Sequence, residues 1–439
     1  MILLAIILLP LKYLIWIMAK LRQFSPFLQQ IYKSEAFPFS SIQTRAPSLF
    51  PFVRYPKLHK SKTPIKYEWE GLSLNYGMPG MYAALTVVAA ANTSILLNNG
   101  IEMPTMLSLT VVAAANTSIL LNNGIEMPTM LWGSGGATQE NATSTAPAVR
   151  DALNAGFPGI DCANHYHNQK GVAAGIQLSS VSRSDIFLLT KVEPCGNSRI
   201  TPLYEGHCYN QSLAAFDENL VQLETSYVDL TLLHSPPCIP NSSWADPNCM
   251  WPDQPDAVYP QHCNCRAEEP CTMMQQQWAA LEKRYKEKKT RAIGVSNFCR
   301  PCLECLAKTA TITPAINQLQ FHVGMGGENP AGLISYTQSQ NIVVQAYSPL
   351  GGDAHGALLS DPHVMAIANS HNVSTSAVCL KWVLQLGHAM ATSTTRVPYM
   401  EEDLNVYTST WMLTEAEMTT LGKLNVAPDD PVKSMYWFS

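Results

Sequence analysis

From about residue 130 onward, short runs of apolar and β-branched residues alternate with longer stretches in which apolar positions recur every three or four residues. The short runs read as strands over 130–133, 159–163, 186–192, 228–234, 291–296, 315–321, 342–347 and 390–393. Helical spacing fills the intervals, at 146–155, 213–224, 274–288, 331–340 and 363–370. Eight strands alternating with helices within about 300 residues is the arithmetic of a closed (β/α)8 TIM barrel, an α/β fold. An open doubly wound sheet would want a Gly-x-Gly-x-x-Gly turn after its first strand, and none stands there.

Ahead of the barrel the pattern changes. Residues 1–19, MILLAIILLPLKYLIWIMA, are almost wholly apolar and are followed by Lys20 and Arg22. No positive charge precedes the run and no small-x-small cleavage site follows it. Residues 1–22 therefore read as a signal peptide or a signal-anchor that would hold the chain to a membrane through residues 1–19. Residues 23–84, rich in Pro, Ser, Lys and aromatics with little periodicity, read as a linker or disordered arm. Then LTVVAAANTSILLNNGIEMPTML at 85–107 recurs letter for letter at 109–131, a spacing of 24 residues. Two copies are too few for a solenoid. A tandem duplication, or an error of gene prediction, fits identical copies better, and only one copy can occupy a given place in a fold. The expected organisation is the duplication at 85–131, a barrel over 120–425 and a C-terminal tail at 426–439.

Composition narrows the class. Of 439 residues, 46% are hydrophobic and 14% charged, which excludes a disordered chain and argues against a coiled coil. Lys and Arg total 28 against 33 acidic residues, a net charge of −5, so no basic excess points to nucleic acid. Cysteine changes the picture more. Of 12 cysteines, Cys195, Cys208, Cys238, Cys249, Cys263, Cys265 and Cys271 crowd into one stretch, beside Asn-x-Ser/Thr sequons at Asn92, Asn116, Asn141, Asn210, Asn241 and Asn372. Together they favour an oxidising compartment, at least two disulfides in 195–271, and a glycoprotein. A Cys-rich insert at about 236–272 lies where loops after barrel strands form the substrate mouth, so it reads as a lid or as a passive surface excursion. Cys299, Cys302 and Cys305 are spaced i, i+3, i+6, which on a helix reads as buried thiols rather than an iron–sulfur run. No metal site is expected.

In a barrel of this kind chemistry belongs at the carboxyl ends of the strands. The second strand ends in GIDCANHYHN, giving Asp161 and Tyr166; the third ends at Lys191 and the fourth at His234. A phenol ionises near pH 10, and a neighbouring ammonium is expected to lower that value. A carboxylate beside the lysine would orient it and keep it charged, and a histidine at the same point can steer a carbonyl oxygen. The four together make a general-acid assembly for reducing a C=O.

With NNGIEMP, GIDCANHYHN, FLLTK, LTLLHSP, RAIGVSNF, INQLQFH and AYSPLGG in order, the chain resembles an aldo-keto reductase over about 120–425. The resemblance implies NADPH-dependent reduction of a small-molecule aldehyde or ketone, most simply by a monomer, with the tetrad Asp161, Tyr166, Lys191 and His234 and with Tyr166 as proton donor. It implies that Ser296, Asn297 and Gln318 hold the nicotinamide carboxamide and that Tyr347 stacks on the ring. Gly133 and Ser134 would line the cofactor cleft, and Ser348 and Leu350 would approach the pyrophosphate. The stretch ATSTTRVPYMEEDLN departs from the family's Lys and Arg for the adenosine 2′-phosphate. Ser393 or Thr394 stands near the Lys position, Tyr399 falls where the Arg is expected, and Glu402 and Asp403 follow, leaving Arg396 as the nearby cation. NADH is therefore an alternative cofactor. The alternative to an enzyme is a catalytically weak, reductase-like binding or regulatory protein. The expected location is the secretory lumen or a membrane anchor, or the cytoplasm if the leader is an error of gene prediction.

Overall fold

A computed structural model describes the backbone of 72–75, 84–91, 94–96, 102–104 and 107–113, and residues 117–426 except 137, 139–140, 196–207, 238–267, 328, 330–331 and 353–354. The leader, most of the arm, most of the Cys-rich insert and the tail lie outside the described residues. Among the described residues no helix is long and apolar enough to cross a membrane.

Eight parallel strands close into a barrel. They are β1 (Met130–Gly133), β2 (Gly159–Asp161), β3 (Phe187–Val192), β4 (Val228–Leu233), β5 (Thr290–Ser296), β6 (Ile316–Gln320), β7 (Val343–Tyr347) and β8 (Ala389–Thr392). Strand β8 pairs with β1 through Met390 and Met130, and β1 with β2 through Trp132 and Ile160, which seals the cylinder. Gly159 has to be glycine, because a Cβ there would lie 2.2 Å from the Phe187 carbonyl oxygen on β3. The outer helices include α1 (Ala142–Ala155), α2 (Gln169–Leu178), α3 (Cys208–Gln222), α4 (Glu268–Lys286), α5 (Arg300–Ala307) and, after β8, α6 (Val397–Thr408). These bounds reproduce the eight expected strands to within two residues; the helices expected at 146–155, 213–224, 274–288 and 363–370 begin earlier, and the one expected at 331–340 is the shorter Leu333–Ser339.

Strand residues point alternately inward and outward. Leu131, Phe187, Leu189, Leu230, Leu232, Ala292, Ile316 and Ala389 form one buried cluster inside the barrel. Their strand neighbours Met130, Trp132, Ile160, Leu188, Val192, Leu233, Ile293, Val295, Leu319, Val344 and Ala346 belong to a second cluster that packs against the helices.

The second copy of the repeat closes the barrel from below. Ser118–Leu120 and Glu126–Pro128 form an antiparallel hairpin, with Gly124 at φ +84° in its turn. Leu121 and Met127 join the inner cluster. The Asn122 amide donates to the carbonyls of Pro314 and Asn341 at 2.8 and 3.1 Å, and the Asn123 amide to that of Arg291 at 3.0 Å. These carbonyls stand at or just before the amino ends of β5, β6 and β7, so the hairpin tip stoppers that end. The first copy forms the same hairpin, Ser94–Leu96 with Glu102–Pro104, in the same register. Within the stretch expected to be a linker, Leu72–Asn75 is a strand that pairs with Ala84–Val87.

Two disulfides lie among the described residues. Cys195–Cys208 ties the chain after β3 to the start of α3, and Cys271–Cys305 ties α4 to α5. The second corrects the expectation of three buried thiols on α5: Cys305 is oxidised, Cys302 is also disulfide-bonded, and only Cys299 keeps its thiol, 3.3 Å from the Cys302 sulfur.

Candidate active site

At the carboxyl ends of the strands the inward row turns polar. Continuing the inward parity of Leu189 gives Lys191 on β3, of Leu232 gives His234 just past β4, and of Ala292 gives Ser296 on β5. The same step gives Asp161 on β2, Gln318 on β6 and Tyr347 on β7. One rim thus collects six of the expected residues by strand geometry alone. Tyr166 arrives from a short 3-10 turn, Asn164–Tyr166, that follows β2. Asn168 anchors that turn by donating to the carbonyls of Ser134 and Thr138 at 2.9 and 3.0 Å.

The tetrad is assembled. The Lys191 ammonium is ion-paired with Asp161 and donates to the Tyr166 hydroxyl at 3.0 Å. The other Asp161 oxygen accepts from the Gln318 amide at 2.6 Å. The His234 ring stands edge-on to the Tyr166 ring, with centroids 5.6 Å apart. Gly135 faces the phenol, and a Cβ there would sit 3.0 Å from its Cζ.

The electrostatics differ from the expectation in one respect. The phenol is pushed above its ordinary pKa of 10, because burial outweighs the lowering effect of Lys191, and Asp161 and Glu193 add to the rise. Burial works against the Lys191 charge, but Asp161 and then Tyr166 overcome it and hold the ammonium above its usual range. Cys162, beside this group, is a buried thiol pushed up to about 12 by burial, so it is no nucleophile.

The expected cofactor residues fall into two groups. Ser296 donates to the Gln318 carbonyl at 3.1 Å. Asn297, in the left-handed region at φ +61°, donates to the His234 carbonyl at 3.0 Å and accepts from the Tyr347 hydroxyl at 3.1 Å. Gln318 divides its amide between Asp161 and Gln345. Ser348 is also left-handed, at φ +49°, and with Tyr347 and Leu350 it is half-buried at the same rim. Gly133 is half-buried, while Ser134 is fully buried with its hydroxyl directed at Asn168. The residues after β8 are set apart. Ser393 is exposed and donates to the Gly135 carbonyl; Thr394 accepts the Trp132 indole N–H through its carbonyl. Arg396 lies over the Tyr399 ring, 5.2 Å from its centroid, and donates to its hydroxyl. Glu402 is half-buried. Asp403 is buried on α6, near Thr392, whose parity on β8 is outward; burial raises its carboxyl to about 7, Thr392 opposing and Glu402 reinforcing the rise.

Four residues of the site were not singled out from sequence: Gly135, Asn168, Glu193 and Gln345. Glu193 continues the inward parity of β3 one step beyond Lys191, which is the signal that marks it.

Several known proteins are similar to this chain. The model of the aldo/keto reductase family matches residues 127–426. Glyoxal reductase of Bacillus subtilis is 32% identical over 332 residues, 76% of this chain and 92% of that protein. The 9,11-endoperoxide prostaglandin H2 reductase of Trypanosoma cruzi is 32% identical over 286 residues, 65% of this chain and 84% of that one. A crystal structure of an aldo/keto reductase from Brucella melitensis superposes with a TM-score of 0.56 at 28% identity, covering 71% of this chain and 98% of the other.

Proposed function

The chain belongs to the aldo/keto reductase family, and from that premise we propose that it reduces an aldehyde or ketone to an alcohol, with Tyr166 as the proton donor. The observation that carries the reading is the 3.0 Å contact between the Lys191 ammonium and the Tyr166 hydroxyl, with Asp161 behind the lysine. A phenol above its ordinary pKa holds its proton at neutral pH and is ready to give it to a developing alkoxide. Lys191, held charged, stabilises the phenolate that results. His234, edge-on to the phenol, bounds the place where the carbonyl would sit.

A nicotinamide dinucleotide supplies the hydride when bound. The donor set at the rim suits it: Ser296, Asn297 and Gln318 offer hydroxyl and amide groups for a carboxamide, and Tyr347 offers a flat, half-buried ring. Gly133, Ser134, Ser348 and Leu350 would flank the pyrophosphate, and Ser393, Thr394 and Arg396 would meet the adenosine end. Arg396 already lies on Tyr399, and Asp403 is turned into the protein between β8 and α6. NADPH is the cofactor proposed, with a weak preference over NADH. The two disulfides support a secretory or membrane-anchored location.

The test is turnover with NADPH and NADH against a panel of aldehydes that includes glyoxal, because one relative carries that name. Tyr166→Phe is expected to lower kcat by about 10²–10⁴-fold while dinucleotide binding survives. Turnover by Tyr166→Phe at the wild-type rate would remove Tyr166 from the mechanism. A strong NADPH preference that Arg396→Ala leaves unchanged would show that the phosphate is met elsewhere.

A further inference from the structure

Just beyond Lys191, a buried carboxylate faces the site. The Glu193 side chain is 6% exposed. One of its oxygens, Oε1, lies 3.1 Å from His234 Nδ1 and also accepts the backbone N–H of His165 at 3.1 Å. The Glu193 backbone is fixed in turn, since Gln277 donates to its carbonyl at 2.9 Å and to Ser212 at 3.1 Å.

An ionised carboxylate only accepts hydrogen bonds, so the nitrogen of His234 that faces it is the one carrying a proton. A neutral ring is then the Nδ1–H tautomer, and Nε2 gains a proton only when the ring becomes a cation. The second contact of Oε1 is to the residue immediately before Tyr166, inside the turn that delivers the phenol. A single oxygen therefore joins the histidine to the backbone of the proton donor. We propose that Glu193 is the positioning residue of this site: its Oε1 holds His234 as the Nδ1–H tautomer and, through the His165 N–H, sets the place of Tyr166 relative to that ring. The kinetic part of this inference rests on the reductase reading; the tautomer does not.

The decisive measurement is the ¹⁵N spectrum of histidine-labelled full-length protein, with His234 assigned by its absence in His234→Phe. The expected result is Nδ1–H for His234 in the wild-type protein, moving to Nε2–H in Glu193→Leu. Glu193→Gln, which keeps the size and one accepting oxygen, is expected to retain Nδ1–H. In carbonyl reduction, Glu193→Leu is expected to lower kcat by about 10–100-fold with the KM for dinucleotide unchanged. Glu193→Gln should recover most of that loss, and in a His234→Phe background Glu193→Leu should change kcat by less than about twofold. An Nε2–H ring in the wild-type protein overturns the proposal whether or not Glu193→Leu folds. So does an equal loss of kcat in both backgrounds, which would mark a packing role alone. Absence of any carbonyl turnover in the wild-type protein would instead sink the reductase reading and leave the spectrum to decide the tautomer.

Discussion

The two copies of the 23-residue repeat have one sequence and two fates. Both pair their SIL and EMP segments in the same antiparallel register, Ser94 opposite Pro104 in the first copy and Ser118 opposite Pro128 in the second. Beyond the hairpin they part. Met130 and Leu131 of the second copy enter the barrel as β1, whereas Leu107 of the first pairs antiparallel with Ala91. The hairpin is therefore a local property of the sequence, and membership of the barrel is not. What separates the copies is the next two residues. The second continues into Trp132, whose indole donates to the Thr394 carbonyl at 2.8 Å, and Gly133, where a Cβ would lie 3.3 Å from the Thr392 carbonyl oxygen. The first continues into Ser108 and Leu109. Identical residues thus take different strand partners according to the chain joined to them.

The sharpest way to break this comparison is to make one substitution in both places. Leu131→Asp puts a carboxylate in the inner cluster and is expected to destabilise the barrel by about 4–5 kcal/mol or more, enough to unfold it in urea titrations. Leu107→Asp is expected to shift the same transition by under about 1 kcal/mol. Equal effects would mean that the first copy also carries the barrel's core.

A second effect should be blind to the repeat. Asp403 has its pKa raised from 3.8 to about 7 in the folded protein, so folding binds a proton that the unfolded chain releases. Its contribution is fully present below pH 3.8 and is lost as pH rises toward 7. Asp403→Asn is expected to stabilise the protein at pH 8 by on the order of 3–4 kcal/mol and to change little at pH 3.5. Thermal unfolding should show the same gain in the full chain and in a chain lacking 85–108. A gain that depends on those residues would contradict the separation of the two regions. His388 works in the other direction. Burial lowers its pKa from 6.5 to about 4, so stability falls as pH drops through that interval.

Smaller differences follow at the hairpin tip. Asn122→Ala removes donors from two carbonyls and should cost about 1–2 kcal/mol, while Asn98→Ala, the same position in the first copy, should be silent. Removal of 85–108 altogether is the smallest perturbation of the chemistry. The second copy remains whole, and kcat/KM for an aldehyde is expected to stay within about twofold of the full chain.

Sequence periodicity predicts the strands well because inward residues are apolar along most of each strand and turn polar at one end, as Leu189 followed by Lys191 illustrates. It is weaker at helix starts. Helix α1 begins at Ala142, under an Asn141 cap, and α3 at Cys208, since first turns are polar and carry no stripe. The tetrad residues are visible because each stands at a strand end or in a short turn after one. Glu193 is marked only by its parity with Lys191; that it faces His234, from another strand, cannot be read from the sequence. The rise of the Tyr166 pKa is likewise hidden, since a neighbouring lysine can be read from sequence whereas the depth of burial cannot.

The pairing of the two copies has a symmetry of its own. Val87 faces Val111, the same position in each copy, with Leu85 opposite Ala113 and Ala89 opposite Leu109. Two identical strands running antiparallel about a common point make the same contacts that would join two separate molecules through a twofold axis. Carried on one chain, 24 residues apart, that association becomes an intramolecular closure. Its entropic cost grows only with the logarithm of the loop, and it does not vanish on dilution. The repeat in this way makes a fixed internal contact of what would otherwise be a concentration-dependent dimer contact.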